Sequence, residues 1–391
     1  MTDTHVPVGV VGAGTMGAGI AQVAAVCGHP TRVFDTDSFA CARARASLRR
    51  MLDRQTEKGT LGAREADDVF ARIEFVDALD DLRGCALVVE AVVEDLSVKK
   101  ALFAGLEDVA ADDAVLATNT SSLSVASIAA ACARPQRVLG VHFFNPAPVM
   151  PLVEVVPGVR TDEEVVRRTR ARVDSWGKTT VLAKDTPGFI VNRVARPFYG
   201  EALRILEEGV ADVATIDWAM KTFGAFRMGP FELMDFIGND VNYTVTETVF
   251  AAFFYDPRYK PSFTQKRLVE AGLLGRKSGR GFYDYSEGAV NPRPREDEKL
   301  GRRILTRVLA MLINEAADAL FWGVATRDDI DMAMVKGLNY PRGLLQWADE
   351  AGIQRVLDTL CDLQEEYGED RYRPSPMLRR LAQGGKGFAG S

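Results

Sequence analysis

Part of the second half of this 391-residue sequence is written twice, and no other feature restricts the fold so tightly. The stretch EALRILEEGVADVATIDWAMKTFGAFRMGPFELMDFIG (201–238) lies over EAADALFWGVATRDDIDMAMVKGLNYPRGLLQWADEAG (315–352) without a gap, each position standing 114 places after its counterpart. The register pairs Glu201 with Glu315, Gly209 with Gly323, Asp217 with Asp331, Met220 with Met334, Gly229 with Gly343 and Asp235 with Asp349. Near the end, GGKGF (384–388) echoes SGRGF (278–282) after a change of register. Such matches in one register point to two copies of one helical domain.

The first 185 residues have another character, with short β runs alternating with helical patterns, as a parallel α/β sheet requires. Strand candidates are residues 6–12, 31–35, 86–92, 114–119, 138–144, 152–156 and 179–183. Residues 38 to about 70 read as two charged helices inserted after the second strand. At KDTPGFIVNR the character changes: Thr186 is a candidate helix cap and Pro187 a first helical residue. SEGAVNPRPREDEK (286–299) reads as a linker. The expected domains are therefore 1–185, 186–285 and 300–391, with 286–299 between the helical copies.

Composition removes several classes. A net charge of −6 favours neither nucleic acid nor an anionic membrane. No apolar run reaches the 18 residues of a membrane span, and MTDTHVPVGV is not a secretory signal. The five cysteines are scattered with no C-x-x-C, which argues against a disulfide framework or a zinc site and fits a reducing cytosol. No metal is expected.

Gly12, Gly14 and Gly17 form G-x-G-x-x-G after the first strand, ahead of a helix rich in small residues. Those glycines permit a tight turn and let backbone approach a pyrophosphate, which the helix N-terminus then favours. Asp35 ends the second strand, 23 residues beyond Gly12. An acid there accepts from a ribose diol and repels a 2′-phosphate, so the cofactor expected is NAD, held on a Rossmann-type sheet.

Two polar segments stand where such a sheet binds ligands, beyond the carboxyl ends of its strands. TNTSS (118–122) carries Ser121, and HFFNPAP (142–148) carries His142 and Asn145. An alcohol oxidised beside a nicotinamide needs a base for its hydroxyl proton, and neutral histidine suits that near pH 7. Glu154, an isolated acid among valines on the following strand, is the candidate to fix the imidazole's tautomer. Each residue alone has a plainer reading: a core histidine, a solvated strand acid, a turn and helix cap.

Taken together, GAGTMGAGIAQVAAVCGH, VVEAVVEDLSVKKALF, TNTSSLSV, VHFFNPAPVMPLVEVV, KDTPGFIVNR, MGPFELMD and GRKSGRGFYDY resemble the 3-hydroxyacyl-CoA dehydrogenase family over nearly the whole chain. The resemblance implies NAD-dependent oxidation of a (S)-3-hydroxyacyl-CoA to the 3-oxoacyl-CoA. It implies His142 and Glu154 as the catalytic pair, with Ser121 and Asn192 on the substrate. Cofactor contacts would come from Gly12, Gly14, Thr15, Met16, Gly17, Asp35, Glu94, Lys99, Asn145 and Lys277. Coenzyme A would lie along the helical hairpin, on Ser47, Arg54 and Lys58 with Arg43, Arg49 and Arg50 nearby. The doubled helical domain looks most like 3-hydroxyadipyl-CoA dehydrogenases of phenylacetate breakdown, although those usually carry an extra segment between the copies. A 3-hydroxybutyryl-CoA substrate is the other expectation.

The same register tests the second copy. Asn192 maps to Thr306, and aligning the GxGF ends maps Lys277 to Gln383, so both polar residues are lost there. The second copy is therefore expected to be structural, packing on the first as a dimer partner's domain would, in a monomer or a homodimer. A substrate with a terminal carboxylate would need a cation, for which Arg193, Arg196 and Arg227 are candidates. Two rival readings are a non-catalytic NAD-binding protein on this fold and a hydroxy-acid or sugar-acid dehydrogenase.

Overall fold

In the computed structural model, which describes residues 6–390, the N-terminal apolar run becomes β1 (Val8–Val11), buried along its whole length. Its alternate side chains feed two cores. Val8 and Val10 join one apolar cluster with Ile20, Leu48 and Val173; Val11 joins another with Val88, Phe103 and Leu116. A strand covered on both faces is apolar throughout rather than in alternation.

β1 is followed by β2 (Thr31–Phe34), β3 (Ile73–Val76), β4 (Leu87–Glu90), β5 (Val115–Thr118), β6 (Val138–Phe143), β7 (Leu152–Pro157) and β8 (Thr179–Leu182). They form one sheet in the order β3-β2-β1-β4-β5-β6-β7-β8. Neighbours are parallel except β6 and β7, which run antiparallel. The chain leaves β1 in one direction and returns to β4 on its other side, so a crevice opens beyond the carboxyl ends of these two strands. The sequence predicts seven of the strands and passes over β3, an edge strand of four residues with Glu74 exposed, too short to display a period.

Helices α1 (Thr15–Val26), α2 (Ser38–Glu57), α3 (Ala63–Ala71), α4 (Leu96–Val109), α5 (Val125–Ala129) and α6 (Glu163–Ser175) complete this unit, with α2 and α3 forming the expected charged hairpin. Only Ala44, Leu48 and Leu52 of α2 are buried, a single stripe at helical spacing.

A second compact unit begins at Pro187 and contains both helical copies. No helix starts at Thr186. Gly188 and Phe189 take left-handed backbone conformations (φ 72° and 48°), which a right-handed helix excludes, and α7 (Val191–Val194) begins only afterwards. The first copy continues with α8 (Arg196–Glu207), α9 (Val213–Gly224), α10 (Pro230–Ile237), α11 (Asn239–Ala252) and α12 (Phe263–Glu270). The second comprises α13 (Glu298–Phe321), α14 (Arg327–Leu338), α15 (Leu344–Ala351), α16 (Ile353–Tyr367) and α17 (Pro376–Gly384). Between them lie a 3-10 turn (Arg276–Ser278), isolated bridges joining Arg280 to Gly275 and Asp284, and then irregular chain up to Asp297, whose carboxylate accepts from Leu300 N and caps α13. No described helix is long and apolar enough to cross a membrane.

The repeat is repeated hydrogen bonding. Asp217 accepts from Phe231 N and Glu232 N at the start of α10, and Asp331 accepts from Leu345 N and Gln346 N at the start of α15. A Cβ at Gly229 or Gly343 would come within 2.3 or 2.2 Å of those carboxylates, so glycine is required at both places. Asp235 likewise holds Phe282 N and Tyr283 N, and Asp349 holds Phe388 N and Ala389 N, which accounts for the GxGF echo.

The copies also exchange charges. Glu315, fully buried, receives Arg193 Nε and Tyr259 Oη at 2.6 Å and Arg258 Nη1 at 3.2 Å, all from the first copy. Glu201, equally buried, receives Arg307 Nε at 2.6 Å, Tyr372 Oη at 2.8 Å and Arg371 Nε at 3.1 Å, all from the second. Each carboxylate thus regains through charged donors what it loses in leaving water. This reciprocity is that of an isologous dimer interface, folded into one chain.

Candidate active site

Gly12 follows β1 with φ 105°, and a Cβ there would lie 2.5 Å from the Ala91 carbonyl oxygen. At Gly17 a Cβ would lie 1.8 Å from the Gly12 carbonyl oxygen, so this glycine lets α1 sit against the turn. Gly14 differs, since nothing lies within 4 Å of its missing Cβ. Gly14 is also the N-cap of α1, and no side chain caps that helix, whereas Asp37 and Asp95 cap α2 and α4. The first N–H groups, those of Thr15, Met16 and Gly17, therefore have neither an intrahelical acceptor nor a side-chain cap, the arrangement that favours an anion at a helix N-terminus. Asp35 stands beside this turn, its carboxylate accepting from Ala13 N at 2.6 Å and Asp37 N at 2.9 Å. A carboxylate has about four acceptor sites, so capacity for a ribose diol remains.

Beyond β4 and β5 lies a buried polar knot. Lys99 is 1% exposed, and its ammonium donates to Glu90 at 2.6 Å and reaches Glu94 at 3.3 Å. Glu90, at the end of β4, also accepts from Thr118 Oγ1 at 2.6 Å and Val92 N at 2.7 Å. Glu94 accepts from Thr120 Oγ1 at 2.6 Å and from Ser121 N at 2.9 Å, with Ser121 Oγ at 3.3 Å. Burial pushes the Glu94 carboxyl up, but Thr120, the Lys99 charge and the Ser121 N–H outweigh it and hold the group below the usual glutamate range. Lys99 thus fixes Glu94, and Glu94 fixes the loop that bears Ser121. Glu90, Thr118 and Thr120 are absent from the sequence-based site; the available signal was an acid ending the wholly buried strand LVVE.

His142 and Glu154 are direct cross-strand partners on β6 and β7. Their side chains meet Nδ1 to Oε2 at 2.7 Å, with Glu154 fully buried and His142 nearly so. The carboxylate keeps the imidazole proton on Nδ1 and makes Nε2 the basic nitrogen. Asn119 Oδ1 accepts from Phe143 N at 2.8 Å, joining the end of β5 to the end of β6. Asn145 is exposed in the following loop, which Lys178 holds through the carbonyls of Ala147 and Met150. Asn119 and Lys178 were likewise not foreseen, because their partners are backbone atoms that sequence does not display.

The first unit matches the 3-hydroxyacyl-CoA dehydrogenase NAD binding domain over residues 7–186. The second matches the 3-hydroxyacyl-CoA dehydrogenase C-terminal domain over residues 188–285 and again over 304–387. The chain belongs to the 3-hydroxyacyl-CoA dehydrogenase family. It is 41% identical to the 3-hydroxyadipyl-CoA dehydrogenase of Escherichia coli (strain K12), over 96% of this chain and 97% of that protein. That alignment spans 460 positions, more than the chain itself, so the relative carries residues this chain lacks. A 3-hydroxybutyryl-CoA dehydrogenase of Mycobacterium tuberculosis is 43% identical over 73% of this chain and 100% of its own. Among solved structures, a 3-hydroxybutyryl-CoA dehydrogenase from Escherichia coli K12 superposes with a TM-score of 0.91 at 39% identity, over 97% of this chain and 98% of that one.

In this dehydrogenase Ser47 and Arg54 share one exposed face of α2 with Arg43 and Arg50, at spacings of three and four residues, and Lys58, the C-cap of the helix, follows four residues after Arg54. Arg49 lies off that face, held by Asp53 at 2.8 Å and Asp67 at 2.6 Å. Asn192, on α7, and Lys277 belong to the helical unit, where Lys277 pairs with Asp240 at 2.6 Å.

Proposed function

We propose that this chain oxidises the C3 hydroxyl of a (S)-3-hydroxyacyl-CoA with His142 as the base. The observation that supports it most is the 2.7 Å contact between His142 Nδ1 and a fully buried Glu154. A carboxylate kept out of water beside an imidazole stabilises the imidazolium that forms when the hydroxyl proton arrives at Nε2. NAD, when bound, accepts the hydride that leaves C3. Gly12, Gly14, Gly17, Thr15 and Met16 hold its phosphates, Asp35 its ribose, and Glu94, Lys99, Asn145 and Lys277 its nicotinamide side, with Lys99 acting through Glu94. Ser121 and Asn192 bind the substrate oxygens and polarise the carbonyl as it develops. The exposed basic face of α2, with Ser47, Arg54 and Lys58, suits the phosphates of coenzyme A.

For the acyl group we propose a six-carbon diacid, 3-hydroxyadipyl-CoA. The Escherichia coli relative of that name aligns over both helical copies. We further propose that the second copy replaces a partner's helical domain, so that one chain acts as a monomer; the exchanged carboxylates Glu201 and Glu315 support this.

The test is NADH production at 340 nm with (S)-3-hydroxybutyryl-CoA and 3-hydroxyadipyl-CoA side by side. Turnover of either ester supports the dehydrogenase reading, and a much higher kcat/KM for the adipyl ester supports the diacid. Turnover of neither, with activity on a free hydroxy acid, sinks both.

A further inference from the structure

Arginine cannot shed its charge inside a protein, so a buried guanidinium normally faces a carboxylate. The buried arginines here follow that rule with one exception. Arg193 and Arg258 meet Glu315, Arg371 meets Glu201, and Arg137 lies near Glu107. Arg196 is 7% exposed and, among the described residues, has no ion pair. Its two hydrogen bonds both leave from Nη1, to the Asn242 carbonyl at 3.4 Å and Thr246 Oγ1 at 3.1 Å. Nε is buried without a partner. The only engaged atom is Nη1, so the Nε–Nη2 edge, which can receive a carboxylate through two parallel hydrogen bonds, makes no hydrogen bond to the described residues of the protein.

A second orphan lies near it. The Tyr340 hydroxyl is buried with no hydrogen-bond partner, in a side chain only 4% exposed. Tyr340 comes from the second copy, at the position where the first has Phe226, and its ring packs on Phe198 and Phe226 at centroid distances of 5.7 and 5.0 Å. The Arg196 charge acts on this phenol, and Arg196 also lies over the Tyr199 ring at 5.0 Å. Two buried donors unsatisfied in one neighbourhood cost free energy unless an acceptor arrives.

The placement of Arg196 indicates which acceptor. It stands four residues after Asn192, and Ala195 between α7 and α8 keeps right-handed helical dihedrals, so the two share a face about one turn, roughly 6 Å, apart. That separation is comparable with an extended six-carbon diacyl chain and longer than a butyryl group fills. Of the other cations considered, Arg193 is consumed by Glu315 and Arg227 is exposed.

We propose that Arg196, assisted by the Tyr340 hydroxyl, receives the distal carboxylate of a dicarboxylic acyl-CoA and so sets the acyl specificity. This rests on the reading of Asn192 as the residue at the thioester end. It also gives the second copy a part in the site, since Tyr340 has no hydroxyl equivalent in the first.

The experiment compares kcat/KM for 3-hydroxyadipyl-CoA and (S)-3-hydroxybutyryl-CoA in the wild type, Arg196→Met, Arg196→Lys and Tyr340→Phe, with melting curves alongside. The adipyl-to-butyryl ratio is expected to fall on the order of 10²-fold in Arg196→Met, less in Arg196→Lys, and about tenfold in Tyr340→Phe. Arg196→Lys and Tyr340→Phe, which keep the charge and the ring, carry the test if Arg196→Met does not fold. A ratio that stays constant, or both esters failing by the same factor, overturns the proposal and assigns Arg196 to packing. A wild type that oxidises neither ester overturns the dehydrogenase reading as well, a different result from a wild type that prefers butyryl.

Discussion

Arg193 of the first helical copy reaches Glu315 of the second at 2.6 Å, and Arg307, 114 residues after Arg193, reaches Glu201 of the first at the same distance. Each copy therefore neutralises the other's buried acid. Ending the chain after residue 290 leaves Arg193 and Arg258 without their counter-charge and uncovers the apolar face of α8. The truncated chain is expected to self-associate through that face or to precipitate, as light scattering after size exclusion would register. A fully stable, fully active monomer would show that the second copy is dispensable.

Acid should attack the same contact. Burial pushes both carboxyls up, but Arg371 and Arg307 around Glu201, and Arg193 and Arg258 around Glu315, outweigh it and hold both below the usual glutamate range. A carboxylate with a lowered folded value contributes stability that is fully present above its unfolded value of about 4.5 and is lost as pH falls through the folded one. Stability from this pair is thus expected to be level from pH 7 to 5 and to decline below 4.5. Glu315→Gln should lower the melting temperature at pH 7, at a cost of about 3–5 kcal/mol, and flatten the acid decline. Superimposable acid limbs for the two proteins would remove Glu315 from the account.

Two glycines of one motif should fail in different ways. Gly17→Ala sets a methyl 1.8 Å from the Gly12 carbonyl, so overpacking is expected to cost about 1–3 kcal/mol or more and lower the melting temperature. Gly14→Ala meets no protein atom within 4 Å and should fold normally, while NADH binding weakens on the order of tenfold or more. Fluorescence titration with NADH and a melting curve on each variant separate the cases. Unchanged affinity in Gly14→Ala would move the pyrophosphate elsewhere.

His142→Gln keeps a side chain of similar length and removes the base. Turnover is expected to fall on the order of 10²–10⁴-fold, with NADH binding preserved. Near wild-type turnover would assign the proton to another group.

Elements with a local cause were legible in the sequence. The glycine turn, the continuous strands and the helical repeat each follow from backbone freedom, burial on two faces or periodicity, all readable in short windows. The pairing of His142 with Glu154 was legible too, because isolated polar residues in adjacent buried strands have few other partners. β3 escaped because four residues on an edge carry too little pattern. The helix expected at Thr186 failed because Gly188 and Phe189 take left-handed conformations, and the one at Phe189 was announced by no propensity.

The sequence by itself determined which side chains exist and where most strands and helices lie, including the duplication. Only the tertiary structure decided which charges are satisfied. Arg193, Arg196 and Arg227 read alike along the chain; folding set one against Glu315, exposed another, and buried Arg196 with its Nε unpaired. Charge is a property of a residue, but its compensation depends on distance in a medium of low dielectric. Those distances join positions more than a hundred residues apart.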